Sequence, residues 1–225
     1  MSTSTLTPVA ARRVLHVGPV LGAVALVVGS AGNLAQALIW QIAGGRPTTV
    51  EAQIQYADSH AGIFAAACLV GALAVPFMAV GFIAAAQTLA AKARVAGIIA
   101  GTLLAIGMWG FQIVQAAELV QLAAMFDGDR AAALWLDTVH EQRLLLPVGI
   151  AFMLGAPLGL LVLTISSLIK APFARWIAAV WLAFIVFDFG FGAVGPVEPH
   201  WLYFAGAVGL AMHLQASRRP AAANP

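Results

Sequence analysis

Four polar residues lie at intervals of three within the otherwise apolar stretch 98–125: Gln112, Gln115, Glu118 and Gln121. Residues three apart are neighbours on a helix surface, so this spacing predicts a polar ridge along one helix. A carboxylate that faces lipid costs about 2.5 kcal/mol or more. We therefore expect Glu118 to face protein or water, in a site that the other helices enclose.

A second isolated acid, Asp188, lies among aromatic residues in the sequence FDFGFGAVGP. A carboxyl group in a low-dielectric site can stay protonated near neutral pH and act as a general acid. The sequence therefore predicts Glu118 and Asp188 as a catalytic acid and base. The structural alternatives for Glu118 are an acid that hydrogen-bonds a neighbouring helix and an acid that reaches the lipid headgroups. For Asp188 the alternative is an aromatic belt at the lipid interface.

Three segments place a histidine beside an acid, namely Asp58 with His60, His140 with Glu141, and Glu198 with His200. Such pairs suit proton transfer, because histidine titrates near neutral pH and carboxylates accept protons. They are also a common ligand set for zinc and non-haem metals, although the spacings HxxxH and HExxH are absent from the sequence. The alternative is a set of polar residues at helix starts, where acids are favoured.

We assign His140 and Glu141 to the catalytic group, and the other two pairs to proton or metal binding. No cofactor is predicted. Polar and aromatic residues in the outer halves of the predicted spans are the candidates for substrate binding. They are Asn33, Gln36, Trp109, Gln112, Gln115, Phe187, Trp201 and Tyr203.

The composition indicates that a membrane architecture must position these residues. Hydrophobic residues make up 62% of the chain and charged residues 9%, with a mean hydropathy of +0.94. A soluble domain carries about 25% charged residues. The chain is therefore predicted to be a polytopic membrane protein without a surface for nucleic acid. Its single cysteine, Cys68, excludes a disulfide framework and a thiolate metal site.

Six apolar stretches predict an all-α fold, a six-helix transmembrane bundle that forms one domain over residues 1–216, with a disordered tail at 217–225. The predicted spans cover residues 14–42, 61–90, 95–125, 144–168, 173–189 and 199–215. The last two are shorter than the roughly 20 residues of a perpendicular crossing, so we expect tilt or local thinning of the bilayer there.

The basic residues alternate between the two ends of these spans and predict the orientation. One end holds Arg12, Arg13, Lys92, Arg94, Lys170, Arg175, Arg218 and Arg219, and the other holds Arg46, Arg130 and Arg143. The positive-inside rule then places both termini in the cytoplasm, in a cell membrane such as the bacterial inner membrane. All 9 acids lie toward the outer side. The inner halves of the spans are almost purely apolar, so we expect tight packing inside and a polar cavity that opens outward.

Two segments, RRVLHVGPVLGAV and LIKAPFARWIAAVWLAFIVFD, resemble a family of bacterial six-helix membrane proteins of unknown function. The likeness extends over the whole length and implies the fold without any chemistry. In size and in its paired membrane acids, the chain also looks like the small membrane-integrated terpene cyclases. That resemblance implies that a protonating carboxylate starts the cyclisation of a polyprenyl substrate.

Three functions follow as hypotheses. The first is an integral-membrane enzyme that acts on an apolar lipid or isoprenoid, with Glu118 and Asp188 as acid and base in an outward-facing cavity. The second is a proton-coupled transporter of a small solute or lipid that uses the same acids. The third is a non-catalytic accessory or metal-sensing protein. Membrane lipids and an apolar small molecule are the expected partners.

Overall fold

A computed structural model describes residues 16–141, 145–191 and 198–217, except for the side chains of 137–141. Within these ranges all regular secondary structure is helical. The helices are α1 (Pro19–Ile42), α2 (Val50–Ala90), α3 (Arg94–Phe126), α4 (Arg130–Glu141), α5 (Leu146–Lys170), α6 (Arg175–Ile185) and α7 (His200–Ala216). A π-helical turn, Val186–Phe191, continues α6 directly.

Four of the helices, α1, α2, α3 and α5, are long and apolar enough to cross a membrane. Helices α6 and α7 have 11 and 17 residues, fewer than the roughly 20 of a perpendicular crossing. The structure thus supports a membrane-spanning protein, while the six crossings and the orientation of the termini stay predictions. Residues 14 and 15 of the first predicted span, and 218–225 of the predicted tail, lie outside the described residues.

The six apolar helices form a closed ring. Helix α1 packs against α2 and α7, α3 packs against α2 and α5, and α6 packs against α5 and α7. The shorter helix α4 packs against α3 and α2. The end of the ring with α4, the α1–α2 loop and the start of α7 is called here the Arg46 end, and it is the end that the charges predict to face outward.

Small residues let the helix backbones of the ring approach each other closely. Gly29 of α1 lies against the backbone of Met78 in α2, and Gly107 of α3 lies against that of Ala156 in α5. A methyl group added at either glycine would collide with these backbone atoms. Such contacts are typical of membrane helices, whose association depends on van der Waals packing.

The centre of the ring is aromatic, and its outside is apolar. Trp181, Tyr203 and Phe82 are fully buried, and the indole N–H of Trp181 donates to the carbonyl oxygen of Tyr203 at 3.0 Å. On the outside, Leu73 and Met153 are more than half exposed. Large exposed apolar side chains on long helices are what a lipid-facing surface requires.

The second predicted span is the apolar part of a longer helix. Helix α2 begins at Val50, where the side chain of Thr49 accepts a hydrogen bond from the N–H of Ala52. Its backbone leaves helical geometry at His60, with φ −136° and ψ 38°. The helix therefore bends just before Ala61, where the apolar stretch begins.

Helix α4 differs from the loop that the sequence analysis places between the third and fourth spans. Asp129 caps it, because its Oδ1 accepts the N–H of Ala132 at 2.9 Å. Ala133 is fully buried, and its carbonyl accepts from Nε2 of Gln121 in α3 at 3.4 Å. The helix is amphipathic, and its buried side, at Ala133, packs on α3.

Candidate functional site

Two adjoining cavities lie within the ring toward its Arg46 end. The first, called here the polar chamber, measures about 190 Å³ and is lined by Asn33, Gln36, Ala37, Trp40, Arg46, Phe111, Gln115 and His200. The second, called the aromatic chamber, measures about 70 Å³, and its lining includes Phe82, Phe111, Phe152, Phe184, Asp188, His200 and Tyr203. Asn33, Phe111 and His200 line both chambers, so the chambers share a wall.

His200 lies between two carboxylates at this shared wall. Its Nδ1 is 2.5 Å from Oε1 of Glu198 and 3.8 Å from Oδ1 of Asp188. The side chains of His200, Asp188 and Glu198 are 20%, 24% and 8% exposed. Imidazole and carboxylate groups in contact exchange protons readily near neutral pH. The cluster can therefore give or take a proton beside the aromatic chamber.

A helix break and a helix start position this cluster. Asp188 lies in the π-helical turn that ends α6, and such turns frequently occur at functional sites. Glu198 precedes α7, and its Oε1 accepts the backbone N–H of His200 at 3.3 Å. A carboxylate is stabilised there by the unpaired N–H groups of the first helical turn. The ring of Phe184 packs edge-on against that of His200, with 5.5 Å between centroids, and restricts its orientation.

Arg46 brings a positive charge to the polar chamber. Gly44 and Gly45 have φ of 89° and 106°, values that other residues rarely adopt, and they let the chain turn between α1 and α2 just before Arg46. The Nη2 of Arg46 donates to Oε1 of Glu118 at 2.6 Å, and the Glu118 side chain is only 13% exposed. A guanidinium group has several N–H donors, so this ion pair leaves others for a ligand.

Buried amide side chains form another part of the polar chamber's wall. Nε2 of Gln36 in α1 donates to Oε1 of Gln115 in α3 at 3.5 Å. The Gln36 amide also lies directly over Gly71 of α2, where any Cβ would overlap it. The amide of Gln36 therefore joins three helices at the chamber.

Two buried donors beside the chambers have no hydrogen-bond partner among the described residues. They are the indole N–H of Trp40, which is 8% exposed at the polar chamber, and the hydroxyl of Tyr203, which is 1% exposed at the aromatic chamber. A buried polar group left unpaired costs roughly 1–3 kcal/mol, so such groups are rare. Both donors belong to residues that line a chamber and are unsatisfied within the described part of the chain.

The structure brings together much of the predicted site. The predicted residues that line a chamber are Asn33, Gln36, Gln115, Asp188, His200 and Tyr203, and Glu198 contacts His200. The predicted acid and base, Glu118 and Asp188, do not share a chamber: Asp188 lines the aromatic one, and Glu118 is not among the described residues that line either. Gln112 has a buried Oε1 without a partner in the described part of the chain.

Three aromatic residues predicted to bind substrate lie on the surface instead. Trp109, Phe187 and Trp201 are all exposed, and none is among the described residues that line a chamber. Exposed aromatic side chains near helix ends are typical of the lipid interface, so Phe187 and Trp201 fit the aromatic belt predicted as the alternative. Trp109 lies in the middle of α3 and is exposed on its outer side.

The other two histidine–acid pairs lie away from the chambers or outside the described side chains. Asp58 forms an exposed ion pair with Arg130 at 2.9 Å, and His60 stacks on Tyr56 with 4.7 Å between ring centroids. The side chains of His140 and Glu141 lie outside the described part of the structure. Within the described residues, no group of three or more His, Cys, Asp and Glu side chains has an arrangement that could hold a metal ion.

Arg46 and Trp40 line the polar chamber although neither is a predicted site residue, and the sequence contains signals for both. Trp40 follows Asn33 by seven residues and Gln36 by four, so the three share one side of α1. Glu118 is an acid in an apolar helix, and such an acid needs a cationic partner. Arg46 is a basic residue at the same predicted end of the bundle, which makes it a candidate partner for Glu118.

No protein family, curated protein or solved structure matches the chain. The resemblances to the six-helix family and to the terpene cyclases therefore stay predictions. Function is inferred from the geometry of the two chambers.

Proposed function

We propose that this protein is an integral-membrane enzyme that performs acid–base chemistry on a small molecule with an apolar part. Asp188 and His200 are the groups that exchange the proton. The observation that carries the proposal is the position of His200, which borders both chambers and contacts two carboxylates. A ligand with its polar end in the polar chamber and its apolar end in the aromatic chamber meets both groups.

Each member of the cluster has a separate role in this proposal. Glu198 holds Nδ1 of His200, which leaves Nε2 as the nitrogen that takes or gives the proton. Asp188, 3.8 Å from Nδ1, lines the aromatic chamber and either stabilises the charged imidazole or supplies a proton to the ligand. Glu198 is therefore a positioning residue, and Asp188 and His200 are the catalytic pair.

Glu118 has a different role from the one that the sequence predicts. Its carboxylate pairs with Arg46 at 2.6 Å, and neither chamber includes it among its described lining residues. We therefore assign it to holding Arg46 in place at the polar chamber.

The dimensions of the chambers favour a small ligand. Sites for drug-sized ligands usually measure about 300–1,000 Å³, whereas the chambers measure about 190 and about 70 Å³. A polyprenyl chain folded for cyclisation needs more room than the aromatic chamber offers. We therefore propose a shorter apolar group in place of the isoprenoid substrate.

The test compares Asp188→Asn and His200→Gln with the matched control Asp58→Asn, whose carboxylate forms an exposed ion pair away from the chambers. Each protein is incubated in nanodiscs with a metabolite and lipid extract of the expressing cells, and mass spectrometry follows which compounds change. We expect wild type and Asp58→Asn to form the same product, and the two site variants to form it about 100-fold more slowly. Equal rates in all four proteins would refute the proposal.

The π-helical turn at Asp188 favours one alternative, a proton-coupled transporter. Helices interrupted at an acid within the bundle are typical of transporters that move protons with a solute. The alternative predicts uptake of an unchanged solute into proteoliposomes under an imposed pH gradient, and loss of that uptake in Asp188→Asn. Chemical conversion without uptake would exclude it.

A further inference from the structure

We infer that the polar chamber binds an anionic head group, a carboxylate or a phosphate, so that the ligand is an anionic amphiphile. The inference rests on the proposed function for the location of the site, and it adds the chemical class of the ligand. It is carried by the cation and the unpaired donor that line this chamber.

One formal charge, that of Arg46, lies in the described lining of the chamber, and Glu118 pairs with it from outside. None of the described residues that line the chamber is acidic, and Glu198 pairs with His200. Arg46 would repel a cationic head group, and none of the described lining residues supplies a carboxylate to bind one. A guanidinium group binds carboxylate and phosphate through paired hydrogen bonds.

The indole N–H of Trp40 points to the same class of ligand. It is buried, it belongs to a residue of the chamber lining, and it has no partner among the described residues. An indole N–H can only donate, so the group that satisfies it must be an acceptor. A negatively charged oxygen that also reaches Arg46 meets both requirements at once.

The adjoining aromatic chamber accounts for the other end of the ligand. Phe111 borders both chambers and stacks on Phe152 with 4.4 Å between ring centroids. An anion held at Arg46 therefore has an apolar space next to it. A free inorganic anion leaves that space unused, so we assign an amphiphile and not a free phosphate ion.

The test measures the binding of short probes to the whole protein in nanodiscs of neutral lipid. The probes are butanoate, butyl phosphate, butanol, butylamine and inorganic phosphate, whose short chains suit the chamber and limit partition into the bilayer. We expect the two butyl anions to bind at least about tenfold more tightly than the other three, because a charge-assisted hydrogen bond is lost in each of the uncharged or cationic probes and the apolar contact is lost in phosphate.

Variants locate the binding site. Arg46→Gln should weaken the binding of butyl phosphate at least about tenfold, and Trp40→Phe, which keeps the aromatic packing, by about threefold. The matched control is Arg130→Gln, because Arg130 is also paired with an acid, at 2.9 Å, but is not among the described residues that line a chamber. It should bind as the wild type does.

Arg46→Gln leaves Glu118 without its ion-pair partner, so the double variant Arg46→Gln/Glu118→Gln is measured with it. We expect the double variant to lose as much affinity for butyl phosphate as Arg46→Gln does, and to have the melting temperature of the wild type. Equal binding of butanol and butanoate, or equal losses in Arg46→Gln and Arg130→Gln, would overturn the anion site. Equal binding of inorganic phosphate and butyl phosphate would overturn the assignment of an amphiphile.

Asp188→Asn separates this inference from the proposed function. It is assayed for turnover beside the binding of butyl phosphate to the wild type and to Arg46→Gln, because Asp188 lines the aromatic chamber and the anion is held at Arg46. If anion binding fails while turnover still depends on Asp188, the ligand class is wrong and the enzyme proposal stands. If anion binding holds while turnover is independent of Asp188, the ligand class stands and the enzyme proposal is wrong.

Discussion

The hydroxyl of Tyr203 lies among aromatic rings, yet none of the described residues hydrogen-bonds to it. Ser30 and Thr164 are just as buried, but each donates to a carbonyl of its own helix, to Leu26 at 2.6 Å and to Leu160 at 2.8 Å. Those two groups are satisfied within the fold. The hydroxyl of Tyr203 and the indole N–H of Trp40 are not, and both belong to residues that line a chamber, which is why we assign them to the ligand site.

Tyr203→Phe tests this distinction. The change removes an unpaired hydroxyl and keeps the ring that packs on Phe82, Trp181 and Phe184. We expect the free energy of unfolding of the ligand-free protein to stay the same or to rise by up to about 1 kcal/mol. Thermal melting in detergent measures it. A fall of about 2 kcal/mol or more would mean that the hydroxyl has a structural partner.

In the described part of the chain, most of the predicted amide residues line a chamber, and most of the predicted aromatic residues do not. Asn33, Gln36 and Gln115 line the polar chamber, because an amide in a membrane helix must face protein to be satisfied. Trp109 and Trp201 are exposed, and tryptophan is common both in pockets and at the lipid interface. Sequence spacing alone does not separate these two environments.

At the scale of elements, the glycine contacts between helices set the shape of the ring. Gly107 brings the backbones of α3 and α5 together, and these helices carry Phe111 and Phe152 of the aromatic chamber. A wider separation of the two helices would move both rings. The packing of α3 on α5 therefore determines the width of the chamber.

Gly107→Ala should lower the melting temperature of the solubilised protein by several degrees, because the added methyl collides with backbone atoms of Ala156. The matched control is Gly149→Ala in α5, where a Cβ would meet nothing within 4 Å. It should melt at the wild-type temperature or slightly above it, because alanine is the better helix former. Similar losses in both variants would contradict the close approach at Gly107.

The elements that the sequence predicts least well are those whose formation depends on packing. Long apolar stretches become helices wherever they occur, because a backbone in lipid must satisfy its own hydrogen bonds. Helix α4 depends on the burial of Ala133 against α3, and the π-helical turn lies where Asp188 approaches His200 at the start of α7. The π-helical turn has no pattern of its own in the sequence, and α4, although amphipathic, is too polar to be among the apolar stretches that predict the spans.

At the scale of the whole molecule, the chambers lie toward one end of the ring. Arg46, Glu118, Asp188 and His200 all lie toward the Arg46 end, while the turns at Lys92 and Lys170 lie at the other. The distribution of basic residues predicts that the Arg46 end faces away from the cytoplasm. Ligand and protons then enter from the outer side.

Single cysteines test this orientation, since the native Cys68 is buried. Asp127→Cys lies at the Arg46 end and Ala91→Cys at the opposite end, and both positions are exposed. A membrane-impermeant maleimide added to intact cells should label Asp127→Cys, and should label Ala91→Cys only after the membrane is permeabilised. The opposite pattern would place the chambers on the cytoplasmic side.

The claim on which the whole account depends is that the two chambers form one ligand site at His200. Cryo-electron microscopy of the protein in neutral-lipid nanodiscs with butyl phosphate tests it most directly. We expect density for the phosphate within hydrogen-bond distance of Arg46 and Trp40, with the butyl chain directed towards Phe111 and His200. A map in which side chains fill both chambers, with the probe only among lipid headgroups, would contradict the account.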